Sequence, residues 1–359
     1  MFASRHRTEA ILAAAAANQV NMFGDFPGAR EAAYFTRAAV SLKQHTFAEV
    51  GGDYDPDIDA TGERMVFVST RHSVRPDLYM KSVSGVAVTQ LTSDPASDIQ
   101  PVFSPDGTRV AFASDRSGNW DIWTISVDGG SPVQVTHGMG DEVHSSWSSD
   151  GSKLVFCSMP SEGGQWELWI TDAAAGSSKR FIGYGLFPEW SPIGDTILFQ
   201  RARERGSRWF SIWTVTLVDG EPRYPTELAA SSTQAMILPT WSPDGRRVAF
   251  SGTSAPPSEL EGAVLPAAAG RVDIWMMNAD GRGSVRLTDG YTANFAPVFS
   301  PDGRIFFTSN RSGHEDIWSL LPMGHPAGST NENTLTRGVD RPEARNETAA
   351  KTVSVENGL

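Results

Sequence analysis

The chain has 359 residues, of which 40% are hydrophobic, so it is long enough for one large core or for two ordinary domains. Its formal net charge of −12 would repel phosphate backbones, and we therefore expect no nucleic-acid partner. No apolar run approaches the ~20 residues of a membrane span, and the single cysteine, Cys157, excludes an intrachain disulfide.

The N-terminal residues form no repeat, and a short helix is expected near residues 10–18. Their basic start and the apolar run from Ile11 to Ala17 are similar to a signal peptide. Glu9 interrupts that pattern, and the apolar run is at the short end of the usual range. A secretion signal is therefore not predicted.

A proline-rich motif recurs along the rest of the chain. Clear copies span Pro101–Gly107, Pro239–Gly245 and Pro297–Gly303, and weaker copies begin at Pro56, Ser145 and Pro188. In this motif proline presets the backbone for a turn, aspartate bonds back to the local backbone, and glycine takes the left-handed conformation that ends the turn. Each copy therefore predicts a β-hairpin.

The hairpin supplies two strands of each repeat, and two more follow. The second strand is an apolar run such as Val110–Phe112, the third a run such as Ile122–Trp123, and the fourth often ends in Leu-Thr. The apolar runs do not alternate with polar residues, as expected for sheets covered on both faces. Four short strands in ~43 residues, repeated six times, predict an all-β fold: a six-bladed β-propeller with four-stranded blades.

The sixth repeat ends after its third strand, at Trp318, and an incomplete blade would leave an open sheet edge. Two segments could supply the missing strand: Gln44–Phe47 and Leu335–Thr336. Phe47 precedes Pro56 by the interval that separates the fourth-strand threonine from the next blade elsewhere, whereas the second segment lies too far from Trp318. We therefore expect an N-terminal strand to complete the last blade.

The predicted domain organisation has three parts. Residues 1–43 are an N-terminal extension, and residues 44–321 are the six-bladed propeller. Residues 322–359 are rich in Gly, Pro, Asn, Thr and charge, and we expect them to be a disordered C-terminal tail.

The motifs Phe-Ser-Pro-Asp-Gly, Ala-Phe-Ala-Ser-Asp-Arg, Asp-Ile-Trp and Leu-Thr, repeated in this order, resemble the TolB family of bacterial propellers. The resemblance covers about residues 44–320. It implies a periplasmic or cell-envelope location, since TolB binds the lipoprotein Pal and couples it to inner-membrane Tol proteins; otherwise the chain would be cytoplasmic. TolB also carries an N-terminal α/β domain, for which residues 1–43 are too short.

The segments that enter the predicted inner strands should line one mouth of the axial channel. The residues immediately before the proline position are Asp55, Gln100, His144, Phe187, Leu238 and Ala296. The residues three positions before it are Asp53, Asp98, Glu142, Gly185, Met236 and Asn294. We therefore expect the mouth to be acidic and polar in blades one to three and apolar in blades four to six.

This two-sided mouth suggests a binding site for a peptide or protein segment that has basic and apolar side chains. The predicted partner-binding residues are Asp53, Asp55, Asp57, Asp98, Gln100, Glu142, His144, Phe187 and Leu238. Two alternatives stay open. Asp53, Asp55 and Asp57 could hold Ca²⁺, because hard cations take carboxylate oxygens, or the acids are merely solvated.

Recognised catalytic motifs are absent from the sequence. It contains no Gly-x-Ser-x-Gly elbow, no phosphate-binding glycine-rich loop and no His-Glu-x-x-His pair. We therefore predict no catalytic residue, no resident metal and no cofactor, and we favour a monomeric, non-enzymatic binding and scaffolding propeller. The alternative is a hydrolase or polysaccharide lyase that uses His144 and the blade-one carboxylates at the mouth.

Three arginines recur near aspartates at the hairpin between the second and third strands of blades one, two and six. The pairs are Arg71 with Asp77, Arg116 with Asp121, and Arg311 with Asp316. We interpret them as cross-hairpin ion pairs or turn braces that repeat because the fold repeats.

Overall fold

The computed structural model describes residues 39–202, 210–253, 272–289 and 291–322, which form 24 β-strands. The first twelve strands are β1 (Ala39–Gln44), β2 (Asp53–Ile58), β3 (Arg64–Ser69), β4 (Asp77–Ser82), β5 (Val88–Gln90), β6 (Asp98–Phe103), β7 (Arg109–Ser114), β8 (Asp121–Ser126), β9 (Val133–Gln134), β10 (Asp141–Trp147), β11 (Lys153–Met159) and β12 (Glu167–Asp172). The others are β13 (Arg180–Tyr184), β14 (Leu186–Trp190), β15 (Thr196–Ala202), β16 (Phe210–Val218), β17 (Glu221–Ala229), β18 (Ala235–Trp241), β19 (Arg247–Thr253), β20 (Val272–Asn278), β21 (Val285–Arg286), β22 (Asn294–Phe299), β23 (Ile305–Ser309) and β24 (Asp316–Pro322). These ranges contain no helix of the length and apolarity that crossing a membrane requires.

The strands form six four-stranded antiparallel sheets, and each sheet is one blade. In blades one to five the strands follow chain order, as in β2-β3-β4-β5 and β6-β7-β8-β9. The first strand of each blade lies at the axis and the fourth lies outermost. The prediction of an all-β, six-bladed propeller with four-stranded blades is confirmed.

Blade six combines strands from the two ends of the described chain. Its order is β1-β24-β23-β22, and in the pairing of β1 with β24 Gln44 lies opposite Trp318. An N-terminal strand therefore occupies the outer edge of the last blade. The rival segment, residues 335–336, and the helix expected near residues 10–18 lie outside the described residues.

The proline-rich motif forms the turn between the first two strands of a blade. In blade two Gly107 has a φ of 66°, and its N–H donates to the Ser104 carbonyl oxygen (2.8 Å). The Ser104 hydroxyl donates to Asp106 Oδ1 (2.5 Å) and accepts the Arg109 N–H (3.0 Å). A Cβ would be strained at this φ, which is why glycine recurs at the end of the motif.

The second strand of each blade lies at the centre of the apolar core. Its phenylalanines are at most 3% exposed: Phe67, Phe112, Phe156, Phe199, Phe250 and Phe307. Because both faces of a blade are covered by its neighbours, the apolar runs have no need to alternate with polar residues. This agrees with the expectation from the sequence.

A threonine near the outer strand binds the start of the third strand. Backbone N–H groups donate to threonine Oγ1 in three blades: Leu78 to Thr92 (3.0 Å), Ile122 to Thr136 (2.9 Å) and Ile274 to Thr288 (3.0 Å). In blade six the Ile317 N–H donates to Thr46 Oγ1 (2.9 Å). Thr46 therefore takes the position that the sequence alignment gave to Phe47, whose side chain is 71% exposed.

Replacing Thr46 with valine is expected to lower the free energy of unfolding by about 1–3 kcal/mol, because the buried Ile317 N–H loses its acceptor. Thr46→Ser keeps the hydroxyl and should retain most of the stability. Urea unfolding measures the difference, and hydrogen exchange at the Ile317 amide should be faster in the valine variant only. Equal stability of the two variants would show that this hydrogen bond does not hold blade six closed.

Candidate functional site

The inner strands of all six blades surround one axial cavity of about 180 Å³. Its lining repeats with the blades. We call the residues before the proline position the first ring: Asp55, Gln100, His144, Phe187, Leu238 and Ala296. The residues after it form the second ring: Asp57, Val102, Ser146, Glu189, Thr240 and Val298. The first ring is acidic or polar in blades one to three and apolar in blades four to six, as the alignment of blades predicted.

Every first-ring residue has a left-handed backbone. Their φ angles lie between 49° and 56°, a region that residues with a Cβ rarely adopt. The pairing register with the second strand shifts at the same place in each blade, in blade one between Tyr54 and Asp57. Each inner strand therefore carries a β-bulge. The extra residue changes the face on which Asp53 lies relative to Asp57, and Asp55 and Asp57 both line the cavity.

The first-ring backbone is fixed by the preceding blade. Its N–H groups donate to side chains there: Asp55 to Thr308 Oγ1 (3.2 Å), His144 to Gln100 Oε1 (2.9 Å), Phe187 to Cys157 Sγ (3.2 Å) and Leu238 to Gln200 Oε1 (2.7 Å). Each bond crosses an interface between blades. At these four positions the backbone of the ring is therefore held by the preceding blade.

The second ring makes the reciprocal bond to the following blade. Its side chains accept backbone N–H groups there: Asp57 Oδ2 from Phe103 (2.7 Å), Ser146 Oγ from Trp190 (3.0 Å) and Glu189 Oε1 from Trp241 (3.1 Å). A carboxylate makes this bridge in blades one and four, and a hydroxyl makes it in blade three.

Three carboxyl groups of the cavity belong to the half-buried residues Asp55, Asp57 and Glu189. Burial, together with the nearby Glu315, raises the pKa of Asp55 to about 7. Burial raises the pKa of Asp57 to about 7, although the Phe103 N–H opposes the shift. Burial, with a contribution from Asp57, raises the pKa of Glu189 to about 8. These groups therefore exchange protons near neutral pH.

His144 lies between Gln100 and Phe187 in the first ring. Its Nε2 is 2.7 Å from Gln100 Nε2, and its ring centroid is 3.8 Å from that of Phe187. Burial lowers the pKa of His144 to about 3, so its ring is uncharged at neutral pH. It contributes a polar but neutral surface to the cavity.

The structure does not bring Asp53, Asp98 and Glu142 to the cavity. Each is buried within its blade and paired with a cation: Asp53 with Arg71 (2.7 Å), Asp98 with Arg116 (2.8 Å) and Glu142 with Lys179. The register shift at the first ring reverses the alternation of the strand, so the residue two positions earlier faces the blade and not the axis.

The three aspartates of blade one therefore do not form one carboxylate set. Among the residues that the structure describes, no group of three or more His, Cys, Asp or Glu side chains is arranged to hold a metal ion. The predicted residues that do meet at the cavity are Asp55, Asp57, Gln100, His144, Phe187 and Leu238.

Sequence comparisons match parts of the chain to known proteins. Residues 55–211 match the family model described as the tricorn protease N-terminal β-propeller domain. An uncharacterized protein of Agrobacterium fabrum is 31% identical over 115 residues, which are 32% of this chain and 33% of that relative. The match thus spans about a third of the length of the curated relative.

Solved structures share the fold over most of the chain. A candidate TolB from Agrobacterium tumefaciens has a TM-score of 0.58 and 22% identity, covering 76% of this chain and 91% of that one. TolB from Acinetobacter baumannii has a TM-score of 0.54 and 17% identity, covering 74% of this chain and 65% of that one. An oligogalacturonate lyase in complex with manganese has a TM-score of 0.53 and 15% identity, covering 78% and 93%.

The chain shares its β-propeller fold with TolB-type structures. At these identities the solved structures establish its fold, and the lyase shows that an enzyme can share it. The resemblance identified from the repeated motifs is confirmed.

The recurring arginines of the propeller have other partners than predicted. The pairing with Asp77, Asp121 and Asp316 is wrong: Arg71 and Arg116 bind Asp53 and Asp98, and Arg311 donates to Asn294 Oδ1 (2.8 Å). Each guanidinium also lies over two aromatic rings of its blade; for Arg116 these belong to Phe112 (5.5 Å) and Trp123 (5.0 Å). The interval from Asp53 to Arg71 equals that from Asp98 to Arg116, and this repeated spacing is the sequence signal for the observed pairing.

Glu189 is the candidate site residue that sequence reasoning missed. The alignment of blades compared the residues before the proline position, whereas Glu189 follows it. The same alignment extended to the following residue would have placed Glu189 in one ring with Asp57.

Arg116→Met is expected to destabilise the propeller by about 3–5 kcal/mol, because Asp98 would be left buried without a counter-ion. Asp98→Asn is the matched control, since blade six naturally has Asn294 beside Arg311. It should cost clearly less than the arginine substitution. Urea unfolding of the two variants compares them, and equal losses would contradict a charge-specific role for the pair.

Glu189 predicts an unusual pH dependence of stability. Its pKa is raised from 4.5 to about 8 in the folded protein, so the folded state binds the Glu189 proton more tightly than the unfolded state. The contribution of this proton to the free energy of unfolding is complete below pH 4.5 and is lost as the pH rises through about 8. The free energy of unfolding of the wild type, relative to Glu189→Gln, should therefore fall between about pH 5 and about pH 8. Urea unfolding at several pH values measures this difference, and a constant difference would exclude a raised pKa.

Proposed function

We propose that this TolB-like propeller is a non-enzymatic binding and scaffolding protein that captures a peptide or protein segment at its axial cavity. The observation that carries the proposal is the two-sided first ring. Asp55, Gln100 and His144 line one half of the cavity, and apolar residues from blades four to six line the other half: Phe187, Leu238 and Ala296. Such a lining fits a segment with both basic and apolar side chains.

The rigidity of the ring supports this function. Leu238 and Asp55 are fixed through their backbone N–H groups by Gln200 and Thr308 of the preceding blades. A site that is ordered before binding loses little conformational entropy when a ligand arrives. Even a short segment, which makes few contacts, could then bind with measurable affinity.

The size of the cavity supports a side chain as its occupant. Its volume of about 180 Å³ lies below the ~300–1,000 Å³ of typical small-molecule pockets. A bound segment would therefore insert a side chain and keep its backbone outside. We expect the propeller itself to be monomeric.

The cell envelope is the location that we propose. The support is the similarity to two TolB-type structures, which share the propeller fold. In that setting the captured segment would belong to another envelope protein.

A polysaccharide lyase or hydrolase is the second candidate. It is favoured by the fold shared with an oligogalacturonate lyase and by cavity carboxyls that are protonated near neutral pH, as a general acid must be. Turnover of oligogalacturonate by the purified chain, abolished by Asp57→Asn, would support the enzyme over the binding protein.

A displayed library of random peptides, screened against the full chain, tests the binding function. Enriched peptides should combine Lys or Arg with large apolar residues. Their affinity should fall about tenfold for Asp55→Asn and for Leu238→Ser, each of which removes one half of the lining. Glu162→Gln, at an exposed position away from the cavity, is the control and should bind like the wild type. Enrichment that is indifferent to both cavity variants would refute the proposed site.

A further inference from the structure

Carboxyl groups from two opposite blades converge on the axial cavity. Asp55 and Asp57 come from blade one, and Glu189 comes from blade four. Among the described residues none donates a hydrogen bond to the Asp55 carboxyl group. Asp57 and Glu189 each accept a backbone N–H, and Glu189 also accepts the Thr240 hydroxyl (3.0 Å). None of the three has a cationic partner in the cavity lining.

The bridge between blades does not require an acid. Ser146 occupies the same position in blade three and accepts the Trp190 N–H with a neutral hydroxyl (3.0 Å). A buried carboxyl group is costly unless it is neutralised or paired with a charge. Asp57 and Glu189 therefore bring more electrostatic potential to the cavity than the fold needs.

Part of the cavity lining is suited to an alkyl chain. Phe187 of blade four and Leu238 of blade five line the apolar half of the first ring. A lysine side chain combines a long apolar stem with a compact ammonium that has three donors. The stem would contact these two residues while the ammonium reaches the acids.

We propose that the cavity binds one primary ammonium, the tip of a lysine side chain of the captured segment, with Asp55, Asp57 and Glu189 as its counter-ions. This inference rests on the proposed binding function and names the group that the site selects. A planar guanidinium, which requires a wider fork of acceptors, should bind less well.

Binding of the ammonium must release protons. Among the residues that the structure describes, the charged groups that act on the three acids are Glu315 on Asp55, Asp59 on Asp57, and Asp57 on Glu189. All of these neighbours are acidic, so they favour the protonated form of the three cavity acids. A bound cation favours the ionised form instead. Affinity should therefore increase between about pH 6 and about pH 8.5, below the pKa of the ammonium itself.

The probe is n-butylammonium, with n-butanol as a neutral molecule of nearly the same size. Calorimetry of the full chain in buffers of different ionisation enthalpy measures both affinity and proton release. We expect butylammonium to bind with proton release and at least about tenfold more tightly than butanol. Asp57→Asn and Glu189→Gln keep the acceptor oxygen for the bridge, so they should fold normally and weaken butylammonium about tenfold each. Glu162→Gln should have no effect.

Equal binding of butanol and butylammonium, or binding without proton release, would overturn the ammonium site. So would unchanged affinity in both acid variants. If the display library yields peptides that depend on Leu238 while butylammonium does not bind, the binding function stands and the ammonium site fails. If butylammonium binds as described and no peptide is enriched, the cation site stands and the capture of a segment fails.

Discussion

The left-handed residue at the centre of every inner strand determines the rest of the structure. It costs backbone energy at six non-glycine positions, and at four of them a hydrogen bond to the preceding blade offsets that cost. In blade five, for example, the Leu238 N–H reaches Gln200 of blade four. Four of the six bulges are held in this way by the preceding blade, so closure of the ring stabilises these four together.

The same bulge separates structural acids from cavity acids. Before it, Asp53 faces the blade and pairs with Arg71, whose guanidinium lies over Tyr79 (5.1 Å). After it, Asp57 faces the axis and binds the next blade through the Phe103 N–H. Two carboxylates that are close in sequence therefore have different roles. One is neutralised by a permanent ion pair, and the other remains able to gain or lose a proton.

The repeat, the strands and the first ring could be predicted from the sequence, because turn chemistry and apolar runs are local signals. The mouth positions Asp55 and Leu238 were found by aligning blades, and the structure places both in one cavity. The position of Asp53 could not be found in this way. Regular alternation puts it on the same face as Asp55, and the bulge that reverses it depends on contacts with another blade. Contacts between blades form only when the ring is closed, so the local sequence of one blade does not predict them.

The carboxyl groups of the cavity lower the stability of the folded propeller. Glu189 could bridge to blade five as glutamine with the same geometry, and Ser146 shows that a neutral group suffices. A glutamate there weakens the folded state at neutral pH, since burial opposes its ionisation. The cost is tolerable because the fully buried second strands of six blades, with residues such as Phe112, provide the core. A destabilising charge that the fold does not require is more readily explained by a ligand that carries the opposite charge.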